Sequence, residues 1–201
     1  MTISSAAVLD YGAATNLIAN GGVETNITGW ASGADRVMER SLEQAHSGVA
    51  SIKTTASITF GSGANIAEYP NLVLTAEDHM YSLWLYIPSS WTGGNIAVSF
   101  NAFAGGVGST TTNADLGLRD QWQRVVVGPF APVAGDLAGS VIVRATVAFN
   151  SGEFAYIDDA QVEPGTIATP YIHTDGAVAS RAAMAIALPV RSLNGARGEL
   201  V

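Results

Sequence analysis

Tyr81-Ser-Leu-Trp-Leu-Tyr-Ile87 is the stretch that decides the fold class. On an extended chain Leu83, Leu85 and Ile87 share one face, and Ser82, Trp84 and Tyr86 share the other. That is the period-two pattern of a strand with one buried side. Val141-Ile-Val-Arg-Ala-Thr-Val-Ala-Phe149 repeats it, with Arg144 and Thr146 marking the wetter face. Working outward, short runs rich in Val, Ile, Phe, Tyr and Trp alternate with clusters of Gly, Ser, Thr and Asn. They predict strands over 37–40, 51–54, 56–60, 72–74, 80–88, 95–104, 123–127, 140–150 and 154–163, with a short edge strand at 16–18. The polar stretches 61–65 and 105–113 read as loops that line a groove or simply connect strands. No helical periodicity interrupts this series before residue 175. The expected fold class is therefore all-β, an antiparallel sandwich or jelly roll.

Composition narrows the function classes. Only 13% of the 201 residues are charged, about half the usual share of roughly 25%. A surface so poor in charge suits a protein partly covered by neighbours. The formal net charge is -8, yet three of the 9 basic side chains, Arg181, Arg191 and Arg197, fall after residue 175. The body is acidic, which argues against nucleic acid, whose phosphates require clustered Lys and Arg. No apolar run approaches the roughly 20 residues of a membrane span, so no membrane insertion is expected. Cysteine is absent, which removes disulfides and thiolate chemistry. The first ten residues lack a basic, then apolar, leader, so no signal peptide is read there.

After Glu163 the character changes. Pro164-Gly-Thr-Ile-Ala-Thr-Pro170 reads as an extended exit from the sandwich. The alanine-rich run over 174–188 reads as a short helix capped by Thr174 or Asp175. Too small to fold alone, it must pack on the sandwich, on another subunit or on a further domain. Residues 192–201 look like a turn leading into a strand. The organisation expected is an arm over 1–14, a sandwich over 15–165 and, over 166–201, a linker or docking tail or else the start of a further domain. The tail's assembly candidates are Arg181, Met184, Ile186, Leu188 and Arg191.

Several motifs carry a family resemblance. Asn16-Leu-Ile-Ala-Asn-Gly-Gly-Val-Glu24, then Gly29-Trp30, Ala45-His-Ser-Gly-Val-Ala-Ser-Ile-Lys53, Trp122-Gln-Arg-Val125 and Tyr156-Ile-Asp-Asp-Ala-Gln-Val-Glu163 occur in that order. The series resembles the jelly-roll carbohydrate-binding modules of families four, nine and twenty-two, over about residues 15–163. A second resemblance lies in Gln161-Val-Glu-Pro-Gly-Thr-Ile-Ala-Thr-Pro-Tyr-Ile172, which is similar to phage tail and minor virion proteins.

The first resemblance implies that Glu24 and Asp159 approach each other and bind a structural Ca²⁺, completed by carbonyl oxygens. Asp158, its neighbour on a strand, is then expected on the opposite face. The plainer alternative has both acids accepting backbone N–H bonds. For sugar stacking on exposed aromatic rings, Trp84, Tyr86 and Trp91 are the candidates. Trp91 follows Pro88-Ser-Ser and is expected to be exposed, whereas Trp30, Trp84 and Trp122 could instead fill the core. Catalysis finds little support. His46, His79 and His173 are too scattered for a helical zinc pair, and no nucleophile elbow surrounds Ser47.

The leading expectation is a non-enzymatic phage structural protein at the virion surface, on a tail fibre, tail tip or capsid, attaching to host surface glycans. Its partners would be other virion subunits, in a homo-oligomer for which the resemblance suggests a trimer. One alternative is a purely architectural spacer or decoration unit docking through its tail. Another is an accessory module of a secreted glycoside hydrolase.

Overall fold

The computed structural model describes residues 8–61, 63–102, 109–132, 137–187, 193–194 and 199–200. Its strands are β1 (Val8–Tyr11), β2 (Ala14–Asn16), β3 (Arg36–Ser41), β4 (Ser51–Ala56), β5 (Ala64–Val73), β6 (His79–Tyr86), β7 (Ile96–Ala102), β8 (Ser109–Asn113), β9 (Trp122–Phe130), β10 (Ala138–Ala145), β11 (Phe154–Pro164), β12 (Ala179–Arg181), β13 (Met184–Ala187), β14 (Leu193–Asn194) and β15 (Glu199–Leu200). Two sheets dominate. One has five strands in the order β3-β4-β11-β6-β9, the other four in the order β5-β10-β7-β8. Every pairing is antiparallel.

The period-two reading of β6 holds. Tyr81, Leu83, Leu85 and Ile87 are fully buried and join Val98, Phe100, Val141 and Val143 of the other sheet in one hydrophobic cluster. Each such aliphatic chain contributes about 1.5–3 kcal/mol by leaving water. Trp30 belongs to this core, its indole N–H donating to Asn20 O at 2.8 Å. Between the sheets Thr112 Oγ1 of β8 donates to Val126 O of β9 at 2.9 Å.

Four expectations need correction. Residues 109–113 are a strand, not a loop. Ser-Thr-Thr-Thr-Asn is polar on both faces, so burial writes no alternation into it. The strand predicted at 72–74 is the end of the ten-residue β5. Register shifts in its ladder with β10 break the alternation. The strand predicted at 56–60 stops at Ala56, and only Phe60 bridges onward, to Phe149. Finally, the helix expected over 174–188 does not form among its described residues, 174–187. Residues 179–181 and 184–187 are strands paired with the N-terminal β2 and β1. An alanine-rich run is a helix former only when no strand offers better pairing. The described part of the tail therefore lies against its own chain, with Tyr11 opposite Met184 and Leu9 opposite Ile186. Leu188 and Arg191 fall outside the described residues.

Candidate functional site

The outer face of the five-stranded sheet carries most of the chemistry. On β6 that face presents Ser82, Trp84 and Tyr86, flanked by Arg124 and Trp122 of β9 and by Asp158 and Tyr156 of β11. Trp122, Tyr86, Tyr156 and Phe154 form a row of edge-to-face contacts with successive centroid distances of 5.7, 5.7 and 5.6 Å. Trp84, Tyr86, Trp122 and Phe154 are half-buried, and Tyr156 is buried. Tyr156 donates its hydroxyl to Glu43 Oε2 at 2.5 Å, and Lys53 Nζ meets the same oxygen at 2.7 Å. The Lys53 ammonium also lies 4.7 Å from the Phe154 centroid, a cation–π position. Burial, and then Glu43, hold the Tyr156 hydroxyl above the usual phenol range. Burial and the Asp120 carboxylate do the same for Tyr86.

The lower half of this face is covered by the exit segment. Glu163 and Gln161 point outward from β11 and hold it down. Glu163 Oε1 accepts Thr169 N at 2.7 Å and Gln161 Nε2 at 2.8 Å, while Oε2 accepts Thr169 Oγ1 at 2.6 Å. Gln161 Oε1 accepts Ile172 N at 2.6 Å. Arg124 Nη2 donates to Thr169 O and, at 3.1 Å, to Ser82 Oγ. Further along, Asn16 Nδ2 donates to Ile172 O at 3.1 Å, and Gly21 N donates to Thr174 Oγ1 at 2.8 Å. Residues 169–174 thus form a strap rather than a free linker.

Above the strap sits an acid cluster. The turn at residues 46–49 is gripped from both sides. Asp158 Oδ2 accepts the amides of His46 and Ser47 at 2.8 and 3.2 Å. Asp159 Oδ1 accepts Ser47 Oγ at 2.7 Å, and its Oδ2 lies 2.6 Å from His46 Nδ1. Glu24 Oε2 accepts Val49 N at 3.0 Å. The expectation that Asp158 and Asp159 face opposite ways is corrected. Asp159 has φ +48° and sits in the bulge between Asp158 and Gln161, so both carboxylates reach one turn. Burial, with Asp159 beside it, pushes Asp158 up to about 8, against the pull of three amide donors.

Glu24 and Asp159 therefore stand on two sides of the same turn. Their oxygens, with Ser47 Oγ, are the hard donors that Ca²⁺ prefers. Here both Asp159 oxygens already have partners, and among the described residues no group of three His, Asp or Glu is arranged to hold a metal ion. Nor is there a hydrolytic relay, because the Ser47 hydroxyl gives its proton to Asp159 rather than to His46.

The sequence candidates separate. Tyr86 and Trp84 lie together on the outer face, but one face of Trp84 is covered by the His46 ring, stacked at 3.6 Å and 13°. Trp91 is a correction: it has no exposure, donates its indole N–H to Gly94 O at 2.9 Å and stacks on Phe149 at 5.1 Å. A loop position misled because the loop folds inward. Arg181 donates to Pro170 O on the strap at 3.1 Å. Sequence reasoning missed Trp122, Tyr156 and Lys53 as members of this face. The phase of Gln123, Val125 and Val127 against Trp122 could have placed the tryptophan outside.

No protein-family profile matches the chain, and no curated protein matches it in sequence. Solved structures do match in fold. The C-terminal family 22 carbohydrate-binding module of Clostridium thermocellum Xyn10B superposes with TM-score 0.56 at 15% identity, over 77% of this chain and 97% of that one. A family 61 module, TmCBM61, solved with β-1,4-galactotriose, gives 0.55 at 16% identity over 75% and 99%. The CBM22-1 xylan-binding domain of Paenibacillus barcinonensis Xyn10C gives 0.51 at 12% identity over 77% and 94%. Two packed antiparallel sheets and these superpositions together give the chain the β-sandwich fold of the carbohydrate-binding modules.

Proposed function

We propose that this chain is a non-catalytic glycan-binding module of a phage particle, carried at the virion surface among other virion subunits. The aromatic row Trp122–Tyr86–Tyr156 on the open half of the five-stranded sheet is the observation that carries the glycan reading. Sugar C–H faces pack on such rings, while Glu43, Asp120 and Lys53 at the rim exchange hydrogen bonds with hydroxyls. The phage setting rests on the resemblance of the strap sequence to virion proteins. Isothermal titration against host surface polysaccharide, with Trp122→Ala and Tyr86→Ala beside the parent, tests the glycan site. Removing about 60 Å² of apolar contact at ~25 cal/mol/Å² weakens binding about tenfold. Unchanged affinity in the double variant would remove this face as the site.

Glu24, Asp159 and Ser47 are the groups that would hold a structural Ca²⁺, which would neutralise the acid cluster and fix the 46–49 turn. A rise in melting temperature with Ca²⁺ over chelator, lost in Glu24→Gln, is the expected result. No difference between the two buffers would refute it.

The architectural reading has the tail dock on a neighbouring subunit, and the pairing of residues 179–181 and 184–187 with β2 and β1 of the same chain stands against it. Deleting residues 176–201 while particle assembly proceeds unchanged would sink it. The hydrolase-accessory reading draws on the MgGH51 arabinofuranosidase match, in which the superposed part is 27% of that chain.

A further inference from the structure

Trp84 already has a ring stacked on it. The His46 imidazole lies parallel to the indole with centroids 3.6 Å apart and an interplanar angle of 13°. It also stands edge-on to Trp122 at 6.0 Å and 71°. Its Nδ1 is 2.6 Å from Asp159 Oδ2. A flat ring, seated on an indole and tied at its edge to a carboxylate, is the arrangement by which proteins hold a pyranose. The position is filled from within the chain.

We infer that His46 occupies a sugar-stacking position on Trp84 and so ends the glycan platform at Trp122 and Tyr86. This rests on the glycan reading above. Trp84 lies beside Tyr86 on the same face of β6, and Arg124 of the neighbouring strand is its cross-strand partner. Without the imidazole, the indole face would extend the platform by one ring. Asp159 Oδ2 would be left to accept a hydrogen bond from a sugar hydroxyl where His46 stood. With the Asp159 carboxylate at its edge, the enlarged position suits a neutral sugar ring and repels an acidic one.

The turn does not depend on the imidazole to stay in place. Its backbone is held by His46 N and Ser47 N on Asp158, by Ser47 Oγ on Asp159 and by Val49 N on Glu24. His46→Ala is therefore an admissible test, with melting temperature and circular dichroism as the folding control.

The experiment compares the parent, His46→Ala, Trp84→Ala and the double variant, using neutral oligosaccharides of increasing length and an acidic one such as trigalacturonate. A second readout is acrylamide quenching of tryptophan fluorescence, which reports ring exposure without any sugar. His46→Ala is expected to increase quenching and to bind the longer neutral oligosaccharides about tenfold more tightly. Trp84→Ala alone should leave parent affinity within about twofold, and in the double variant the gain should vanish. Tightening in His46→Ala that survives removal of Trp84 overturns the inference. So does increased quenching with no change in an otherwise measurable affinity. If neither parent nor His46→Ala binds any glycan while quenching rises, the glycan reading itself has failed. Binding that appears only in His46→Ala upholds His46 as a block.

Discussion

Glu163→Leu is the sharpest test of the strap. The Glu163 carboxylate is 1% exposed and receives three donors: Thr169 N, Thr169 Oγ1 and Gln161 Nε2. Leucine has nearly the same volume, so the loss is one of acceptors rather than packing. Two of the donors have somewhere to turn. Thr169 Oγ1 can reach Pro170 O at 3.3 Å, and Gln161 Nε2 can reach Pro170 O at 3.5 Å. Thr169 N has no such alternative, and because the residue is half-buried the loss of its acceptor falls in the lower part of about 1–3 kcal/mol. Two charge-assisted bonds exchanged for long neutral ones add roughly 1 kcal/mol. The expected cost is therefore about 2–3 kcal/mol, or roughly 4–12 °C in melting temperature for a chain of this size. Glu163→Gln keeps a carbonyl for Thr169 N and Gln161, and its amide can donate to Thr169 Oγ1, so it should cost under about 1 kcal/mol. Urea unfolding gives the free energies, and hydrogen exchange at residues 169–172 reports the strap directly. Glu163→Leu within about 0.5 kcal/mol of the parent would refute the network argument, since that is the range of inert surface substitutions. A glutamine variant as damaged as the leucine one would show that charge, not acceptor geometry, holds the strap.

Other substitutions probe the rest of the account. Trp91→Ala should destabilise by about 3–5 kcal/mol in thermal unfolding yet leave the affinity of the folded protein for glycans unaltered. Gly48→Ala places a Cβ 2.0 Å from Glu24 Oε1 at φ +61°. It should lower stability by about 1–3 kcal/mol, while Ser47→Ala, which only removes one hydroxyl bond to Asp159, should cost about 1 kcal/mol. His79 has no exposure, and burial lowers its pKa. The unfolded chain therefore binds a proton first on acidification. This part of the stability is complete above roughly pH 6.5 and is lost as pH falls below it. Unfolding between pH 7 and 5 should become less pH-dependent in His79→Gln.

The sequence exposed the sandwich wherever burial is one-sided. Leu83, Leu85 and Ile87 alternate with Ser82, Trp84 and Tyr86, and the structure keeps them apart as read. It concealed β8, whose residues are polar on both faces, and most of β5, whose register shifts break the period. At the site, the motif with Asp158 and Asp159 was visible, but their common direction was not. A strand obeys alternation until a bulge interrupts it, and nothing in two consecutive aspartates announces φ +48° at the second. Trp91 failed in another way. Proximity to Pro88 and two serines marks a loop, but says nothing about whether the loop's aromatic ring turns toward Phe149. The strap was legible only as Pro and Gly punctuation. That Gln161 and Glu163 grip Thr169 depends on a chain reversal that no local pattern encodes.

The ladder between β1 and β13 has a mechanical consequence. Val8 pairs with Ala187 at one end and Tyr11 with Met184 at the other, followed by Ala14 with Arg181 and Asn16 with Ala179. Tension drawing residues 8 and 187 apart loads one rung at a time, as a zipper opens, instead of shearing all rungs together. The ribbon yields first, and the pull then passes to β11 through Asn16 and Leu17, which are bonded to Ala160 O, Val162 N and Val162 O. Such a molecule lengthens in small steps under load while the ribbon opens, and the outer face stays folded over that stretch.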